Sequence, residues 1–131
     1  MRIATTLDDE TEKLASEVVS AAFQVHVALG PGLLESVYGA CLALEFDQRS
    51  VSYRRQVDVP IAYRGQRVDA KLRLDFLIAG RIVIELKSVE SILDVHRAQL
   101  LTYLKLTGCR LGFLINFNVA MIKTGITRIV L

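Results

Sequence analysis

The chain has 131 residues, 52% of them hydrophobic and 23% charged, with a formal net charge of +2 at pH 7. This length suits one domain, which we expect to span residues 1–131. No apolar run approaches the roughly 18 residues that a transmembrane helix needs, and the acidic residues that follow Arg2 do not fit a secretory signal. We therefore expect a cytoplasmic protein with no membrane partner, in which Cys41 and Cys109 are free thiols.

The charge is unevenly distributed along the chain. Residues 1–47 carry eight acidic and two basic residues, whereas the remaining residues carry six acidic and fourteen basic ones. Six of the basic residues fall on two or three consecutive predicted strands: Arg54, Arg55, Arg64, Arg67, Lys71 and Arg73. They form either a surface that faces phosphate groups or a solvated sheet face whose charges prevent edge pairing, and the sequence leaves both interpretations open.

Two helices are predicted in the first half of the chain. Apolar residues recur at helical spacing from Asp9 to Leu29, with acidic residues in the first turn, where the helix dipole favours them. Gly30-Pro31-Gly32 ends this helix, because proline and two glycines do not continue its backbone. A second helix is predicted over Leu33–Gln48.

Strand patterns follow these helices. Residues 51–63 alternate between apolar and polar side chains, with an interruption at Pro60, and Arg64-Gly65 is typical of a hairpin turn. Residues 68–78 then alternate strictly, which predicts a single apolar face and directs Asp75 away from it.

The last part of the chain predicts a helix between strands. A strand over Arg81–Lys87 is followed by a helix over Ser91–Thr107 and a buried strand over Cys109–Phe117. Two short strands are predicted over Val119–Ile122 and Ile126–Val130. The order of these elements predicts an α/β sandwich with helices covering a central mixed sheet.

A candidate chemical site lies where two predicted strands join at a tight turn. In an antiparallel pair that turns at Ala79-Gly80, Asp75 and Glu85 lie nearly opposite each other, so their carboxylates converge. Two like charges this close are unfavourable without a cation, and an oxygen-only site suits Mg²⁺ or Mn²⁺. Lys87 shares a side with Glu85 and would hold the attacking water or offset charge on phosphoryl oxygens.

The tripeptide from Glu85 to Lys87 is common by chance, and taken alone it is explained better by an exposed Glu-Lys edge. Its setting adds weight to the functional interpretation. A carboxylate and an ammonium group inside the apolar segment 82–87 are costly to remove from water unless they bind something.

The segment 30–38 resembles the signature of the bacterial GxxExxY family, with Gly32, Glu35 and Tyr38 in the named places. Four later segments resemble further blocks of the same family in the same order: residues 74–78, 84–87, 96–103 and 114–117. The similarity covers roughly residues 10–130, and its specificity comes from the ordered series of blocks.

This resemblance implies a PD-(D/E)XK, or restriction-endonuclease-like, fold: a three-layer α/β sandwich with a central mixed sheet flanked by helices. By the same resemblance, Asp75, Glu85 and Lys87 match the metal-binding acids and catalytic lysine of that superfamily. Glu35 matches an acid that many members supply from the preceding helix. Leu74 stands where many members have proline, a departure that leaves the metal site intact.

The resemblance also extends to the helix after the active strand. Gln99 and Tyr103 match a glutamine and a tyrosine, four residues apart, that RecB-type nucleases carry there. At this spacing they share one helical face, with His96 one turn earlier. His96 would then contact phosphate or metal, or serve a structural role.

Four other polar residues have structural alternatives. Tyr38 is expected to pack and to orient Glu35 through its hydroxyl group. His26 fits a polar core or surface position better than a ligand. Asn116 and Asn118 either cap a turn or face the site.

Two functions fit the sequence. The first is a Mg²⁺- or Mn²⁺-dependent nuclease that hydrolyses DNA or RNA, with metal on Asp75, Glu85 and Glu35, and with Lys87 and Gln99 assisting. The alternative is a non-catalytic module that keeps the fold and binds nucleic acid or protein. A chain this short has little room for substrate-recognition insertions, which favours a homo-oligomer or a helper role.

Overall fold

The first helix, α1 (Asp9–Leu29), begins at Asp8, whose carboxylate accepts a hydrogen bond from the Thr11 amide at 2.7 Å. The computed structural model describes residues 7–131, so residues 1–6 of the predicted domain lie outside the described part. At its other end, α1 stops where Gly30 adopts a φ of 67°. Left-handed backbone of this kind is costly for residues with a side chain, so glycine is well suited to end the helix here.

The second helix, α2 (Glu35–Gln48), starts two residues later than the sequence predicts. The chain between the helices contains Gly32 at a φ of 97°, a conformation that again suits glycine. The backbone stays extended at Leu34, with a ψ of 151°, before helical geometry begins. As a result, Glu35 is the first residue of α2.

The remaining chain builds a five-stranded sheet with one helix crossing over it. Its elements are β1 (Tyr53–Tyr63), β2 (Gln66–Ile78), β3 (Ile82–Lys87), α3 (Asp94–Thr107), β4 (Leu111–Asn116), α4 (Ile122–Gly125) and β5 (Ile126–Val130). The strands lie in the order β1-β2-β3-β4-β5. Helix α3 is the crossover that allows β3 and β4 to pair in parallel, and the other neighbours are antiparallel.

Each face of the sheet carries its own apolar core. Helices α1 and α2 cover one face, where the largest buried side chains are Tyr38, Phe46, Phe76, Phe113 and Phe117. Helix α3 covers the other face through Leu100, Tyr103 and Leu104, which pack with residues of β1 to β4. This arrangement confirms the predicted three-layer α/β sandwich on a mixed sheet.

The predicted single apolar face of β2 is wrong. Val68 is 39% exposed, and Leu72 and Leu74 pack beneath α3, whereas Phe76 and Ile78 pack beneath α1 and α2. Strict alternation would keep all of them on one side. The side changes around Asp75, and Gln56 of β1, which lies opposite it in the register, has a φ of 51°.

The predicted strand Val119–Ile122 is also wrong. These residues belong to the connection that reverses the chain from β4 to β5, and the connection ends in the short helix α4. The Val119 carbonyl accepts a hydrogen bond from His26 Nε2 at 2.8 Å instead of pairing with a strand. The apolar pattern here reflects packing against α1, with Ile122 buried in the same core.

A substitution at Gly125 tests how tightly the connection after β4 is packed, and a substitution at Gly39 in α2 serves as the comparison. A Cβ atom at Gly125 would lie 2.1 Å from the Asn116 carbonyl oxygen, so we expect Gly125→Ala to lower the free energy of unfolding by about 3 kcal/mol. Gly39 lies inside α2, where a Cβ would meet the mobile end of Arg55 at 3.0 Å. Gly39→Ala should therefore be neutral or stabilising by up to about 1 kcal/mol, because alanine favours a helix.

Chemical denaturation of both variants checks these values. Equal losses in the two proteins would show that the close approach of Gly125 to Asn116 has no special energetic weight.

Candidate functional site

Strands β2 and β3 separate at Asp75 and Glu85. Their ladder ends at the pair Phe76–Ile84, and side chains replace backbone carbonyls as acceptors beyond it. The Asp75 amide donates to Glu85 Oε1 at 3.0 Å, and the Leu86 amide donates to Asp75 Oδ2 at 2.7 Å. The structure thus brings the two carboxylates together, as the antiparallel register predicts.

Each of these carboxylates uses one oxygen for the backbone and keeps one free. Within the described part of the chain, Asp75 Oδ1 and Glu85 Oε2 accept no hydrogen bond. Residues 7–131 contain no side-chain oxygen or nitrogen atom that is both buried and without a hydrogen-bond partner. Both free oxygens therefore have access to solvent, although Glu85 as a whole is only 6% exposed.

The surroundings of this acid pair disfavour negative charge. Burial, together with the neighbouring Asp75 charge, raises the pKa of Glu85 to about 8, although the Asp75 amide and the Lys87 charge oppose the rise. Burial also raises the pKa of Asp75, opposed by the Leu86 amide and by the charges of Lys87 and Arg55. A bound cation would stabilise the charged form of both carboxylates.

Lys87 and Glu35 approach the pair from different elements. Lys87 is half-buried on β3, two residues after Glu85 and therefore on the same side of the strand. Glu35, exposed at the start of α2, lines a cavity of about 160 Å³ together with Asp75 and Leu86. Its charge contributes to the raised pKa of Glu85.

Of the three site residues predicted on helix α3, Tyr103 interacts with the charges of the acid pair. Tyr103 is buried beneath the helix, and burial together with the charges of Glu85 and Asp75 raises its pKa. Gln99 lies on the exposed side of α3. His96 sits in the first turn, where its Nδ1 accepts the Leu93 amide at 3.0 Å.

Tyr38 packs as predicted, but its hydroxyl group does not orient Glu35. The hydroxyl donates to the Gly30 carbonyl at 2.6 Å and accepts from the Leu33 amide at 3.2 Å, while the ring stacks on Phe117 with 4.4 Å between centroids. The Tyr38 side chain points toward the N-terminus of α2 and so toward the turn that precedes this helix. Its hydrogen bonds thus hold the connection between α1 and α2, and act on Glu35 only through the backbone.

Asn116 connects the two loops that follow β3 and β4. Its Oδ1 accepts the Val89 amide at 3.1 Å and its Nδ2 donates to the Val89 carbonyl at 3.0 Å. Asn118 reaches the same carbonyl at 3.4 Å. The asparagines therefore cap loops, and His26 is a buried polar residue bonded to Val119, as its sequence context indicates.

The comparison with protein-family models places this geometry in a known group. The model of the PD-(D/E)XK nuclease superfamily matches residues 12–129. The chain belongs to the PD-(D/E)XK nuclease superfamily. Comparisons with curated proteins and with solved structures gave no significant match. Within residues 7–131, no helix combines the length and apolar character needed to cross a membrane.

The acids of this PD-(D/E)XK protein fit a divalent metal of the kind that the superfamily generally uses. No group of three or more His, Cys, Asp and Glu side chains is arranged around a metal position in the described residues, so Glu35 does not complete a three-acid metal site with Asp75 and Glu85. Two carboxylates are nevertheless sufficient for Mg²⁺, which usually keeps several waters and takes one or two carboxylates. The free oxygens of Asp75 and Glu85 provide that donor set.

Sequence reasoning missed Arg55 as a site residue of this PD-(D/E)XK protein. The Arg55 guanidinium lies 5.3 Å from the centre of the Phe76 ring, lines the cavity beside Asp75, and lowers the pKa of that acid. Gly39 leaves room for it, since a Cβ there would lie 3.0 Å from Arg55 Nη2. A glycine inside a predicted helix is the signal that could have indicated such a close approach.

The raised pKa of Glu85 makes a prediction about stability and pH. The pKa of Glu85 is about 8 in the folded protein and has its ordinary value of 4.5 in the unfolded chain, so between these pH values the folded protein binds more protons than the unfolded chain. The wild-type free energy of unfolding should therefore fall as pH rises from 5 to 9. Glu85→Gln removes this loss, and its melting temperature in metal-free buffer should exceed that of wild type increasingly toward pH 9.

Thermal unfolding in EDTA between pH 5 and 9 measures the difference, with about 4 °C expected per kcal/mol in a chain of this size. Glu90→Gln makes the same chemical change at an exposed position and serves as the control. A Glu85→Gln advantage that is independent of pH would show that Glu85 titrates in its ordinary range.

Proposed function

We propose that the chain is a nuclease that hydrolyses phosphodiester bonds in nucleic acid with the help of Mg²⁺ or Mn²⁺. The observation that carries this proposal is the acid pair, in which each carboxylate is fixed to a backbone amide by one oxygen and open through the other. Membership of the PD-(D/E)XK superfamily supports the same activity.

In this proposal, Asp75 and Glu85 hold the metal ion, with Glu35 as a third acid at the rim of the cavity. When bound, the ion would polarise the phosphodiester and lower the pKa of the attacking water. The protein fixes both carboxylates in advance through the Asp75 and Leu86 amides, so little reorganisation is needed when substrate arrives.

Four cationic or polar side chains complete the proposed machinery. Lys87 would orient the attacking water or offset negative charge on the phosphoryl oxygens from the same side of β3 as Glu85. Arg55, in the cavity beside Asp75, is suited to bind a non-bridging phosphate oxygen, because guanidinium groups match phosphate geometry. Gln99 and Tyr103 support the site from α3, with Tyr103 nearer the acids.

The assignment to the GxxExxY family is part of the proposal. Its named residues act together at one place: Gly32 adopts left-handed backbone, Tyr38 binds both ends of the turn, and Glu35 follows as the first residue of α2. The signature thus coincides with the turn that sets an acid at the rim of the cavity.

Activity should depend on metal and on the residues of the acid pair. We expect cleavage of single-stranded, double-stranded or branched nucleic acid with Mg²⁺ or Mn²⁺, and loss of this cleavage in EDTA. Asp75→Asn, Glu85→Gln and Lys87→Ala should each lower the rate by about 100-fold or more, because each removes metal binding or charge stabilisation. Gel analysis of labelled substrates measures the rates.

Glu90→Gln and Lys105→Ala change the same residue types at exposed positions and should leave cleavage unchanged. Absence of metal-stimulated cleavage on all three substrate types would contradict the proposed activity.

A non-catalytic binding module is the second candidate, and the separation of Glu35 from the other two acids favours it. Calorimetric titration with Mn²⁺ distinguishes the two functions. The nuclease requires a binding signal that Asp75→Asn abolishes, whereas nucleic-acid binding without any metal signal would support the module.

A further inference from the structure

A two-stranded arm extends from the sheet beside the acid pair. Strand β2 pairs with β3 only over residues 76–78, yet it continues back to Gln66 in partnership with β1 alone. The base of this hairpin packs beneath α3. Residues 60–71 lie beyond that contact, and we call them the arm; all are exposed except Ile61, which is half-buried.

The arm has no apolar core of its own, and its β1 edge is protected against another strand. A hairpin of two strands is marginally stable in water by itself. Pro60 and the shift of register between Pro60 and Ile61 interrupt hydrogen bonding along β1, which is an edge strand of the sheet. Such features disfavour pairing of a second chain along β1, so strand addition from a protein partner is a poor match for that edge.

Positive charge concentrates on this hairpin. Residues 54–73 hold six basic and two acidic residues, a balance of +4, whereas the whole chain sums to +2 and the rest therefore to −2. At the base, Asp58 neutralises part of this charge by pairing with Lys71 and Arg73 at 3.6 and 3.0 Å. Toward the tip, neither Arg64 nor Arg67 has an ion pair with any described residue, and Arg64 lies over the exposed Tyr63 ring at 5.6 Å.

The reach of the arm matches a duplex that also contacts the acids. Tyr63 at the tip is seven positions along β1 from Gln56, which lies opposite Asp75 in the register. At about 3.3 Å per residue this is about 23 Å, and the two strands are about 4.8 Å apart. The major groove of B-DNA is about 12 Å wide and admits a two-stranded ribbon.

We propose that the arm is a DNA-binding element that enters the major groove of a duplex, with Arg64 and Arg67 binding phosphates on the groove walls. This proposal rests on the proposed function in naming its substrate class, but the arm is tested by binding and not by cleavage. Duplex RNA is the disfavoured alternative, because its major groove is too deep and narrow for side chains to read.

The experiment compares two double variants that remove the same charge. Arg64→Ala/Arg67→Ala alters the tip of the arm, and Lys13→Ala/Lys105→Ala is the control, so each brings the formal net charge from +2 to 0. Both control residues are exposed. Lys13 lies beside a cavity that includes Ala79. Ala79 belongs to the turn between β2 and β3, which is away from the acids. Fluorescence anisotropy with a labelled 20-base-pair DNA duplex in EDTA, at several salt concentrations, measures binding without cleavage.

We expect the arm variant to bind the duplex about tenfold or more weakly than wild type, and its plot of log K against log salt to be shallower by about 2. The control variant should retain the wild-type slope. Wild type should also bind the DNA duplex more tightly than an RNA duplex of the same sequence. Equal weakening in both variants, or equal affinity for the two duplexes, would overturn the proposal.

Hydrolysis of a small phosphodiester tests the proposed nuclease activity independently of DNA binding by the arm. Bis(p-nitrophenyl) phosphate reaches the acids without spanning the arm, so its Mn²⁺-dependent hydrolysis should be the same in wild type and the arm variant. Hydrolysis together with wild-type DNA binding by the arm variant would overturn the arm proposal alone. Loss of DNA binding in that variant without hydrolysis by wild type would support the arm and contradict the nuclease.

Discussion

At the end of the β2–β3 ladder, two backbone amides donate to carboxylates and not to backbone carbonyls. The site depends on this constraint. Where β2 and β3 part, the Asp75 and Leu86 amides would be left without acceptors, and buried amides without partners are costly. The Glu85 and Asp75 side chains supply those acceptors. The same contacts that satisfy the backbone therefore fix the acids in place, so the geometry of the site is part of the structure of the sheet.

Both helical layers contribute side chains to the surroundings of the acid pair. Helix α2 presents Glu35 and, through the gap at Gly39, accommodates the Arg55 side chain from β1. Helix α3 covers the opposite face and places Tyr103 within the field of the acids. The site is thus enclosed by side chains from both layers, which explains how a short β3 can bury a glutamate and keep part of it open to solvent.

The sequence predicted much of this because its decisive features are local. The turn at Ala79-Gly80 fixes the register of β2 and β3 within a few residues, and the register alone places Asp75 opposite Glu85. The bounds of α1 and the presence of a helix between β3 and β4 likewise follow from nearby caps and breakers. Local pattern and tertiary structure agree in these segments.

Its errors fall where distant contacts decide the outcome. The change of side around Asp75 depends on backbone conformation at Gln56, nineteen positions away along the chain, and alternation of apolar residues does not reveal it. The Tyr38 hydroxyl binds the Gly30 carbonyl, and only the folded turn brings that acceptor to it. Arg55 was missed for a similar reason, since its position depends on a helix that precedes it.

The hydrogen bonds around Asn116 limit how this molecule can adapt to a ligand. The Lys87 carbonyl accepts the Phe117 amide at 3.0 Å, and the next turn of chain is tied through Val89 to Asn116, so the end of β3 is anchored to the end of β4. Backbone rearrangement there would break several bonds at once. We therefore expect this end of the sheet to keep its backbone conformation when a ligand binds.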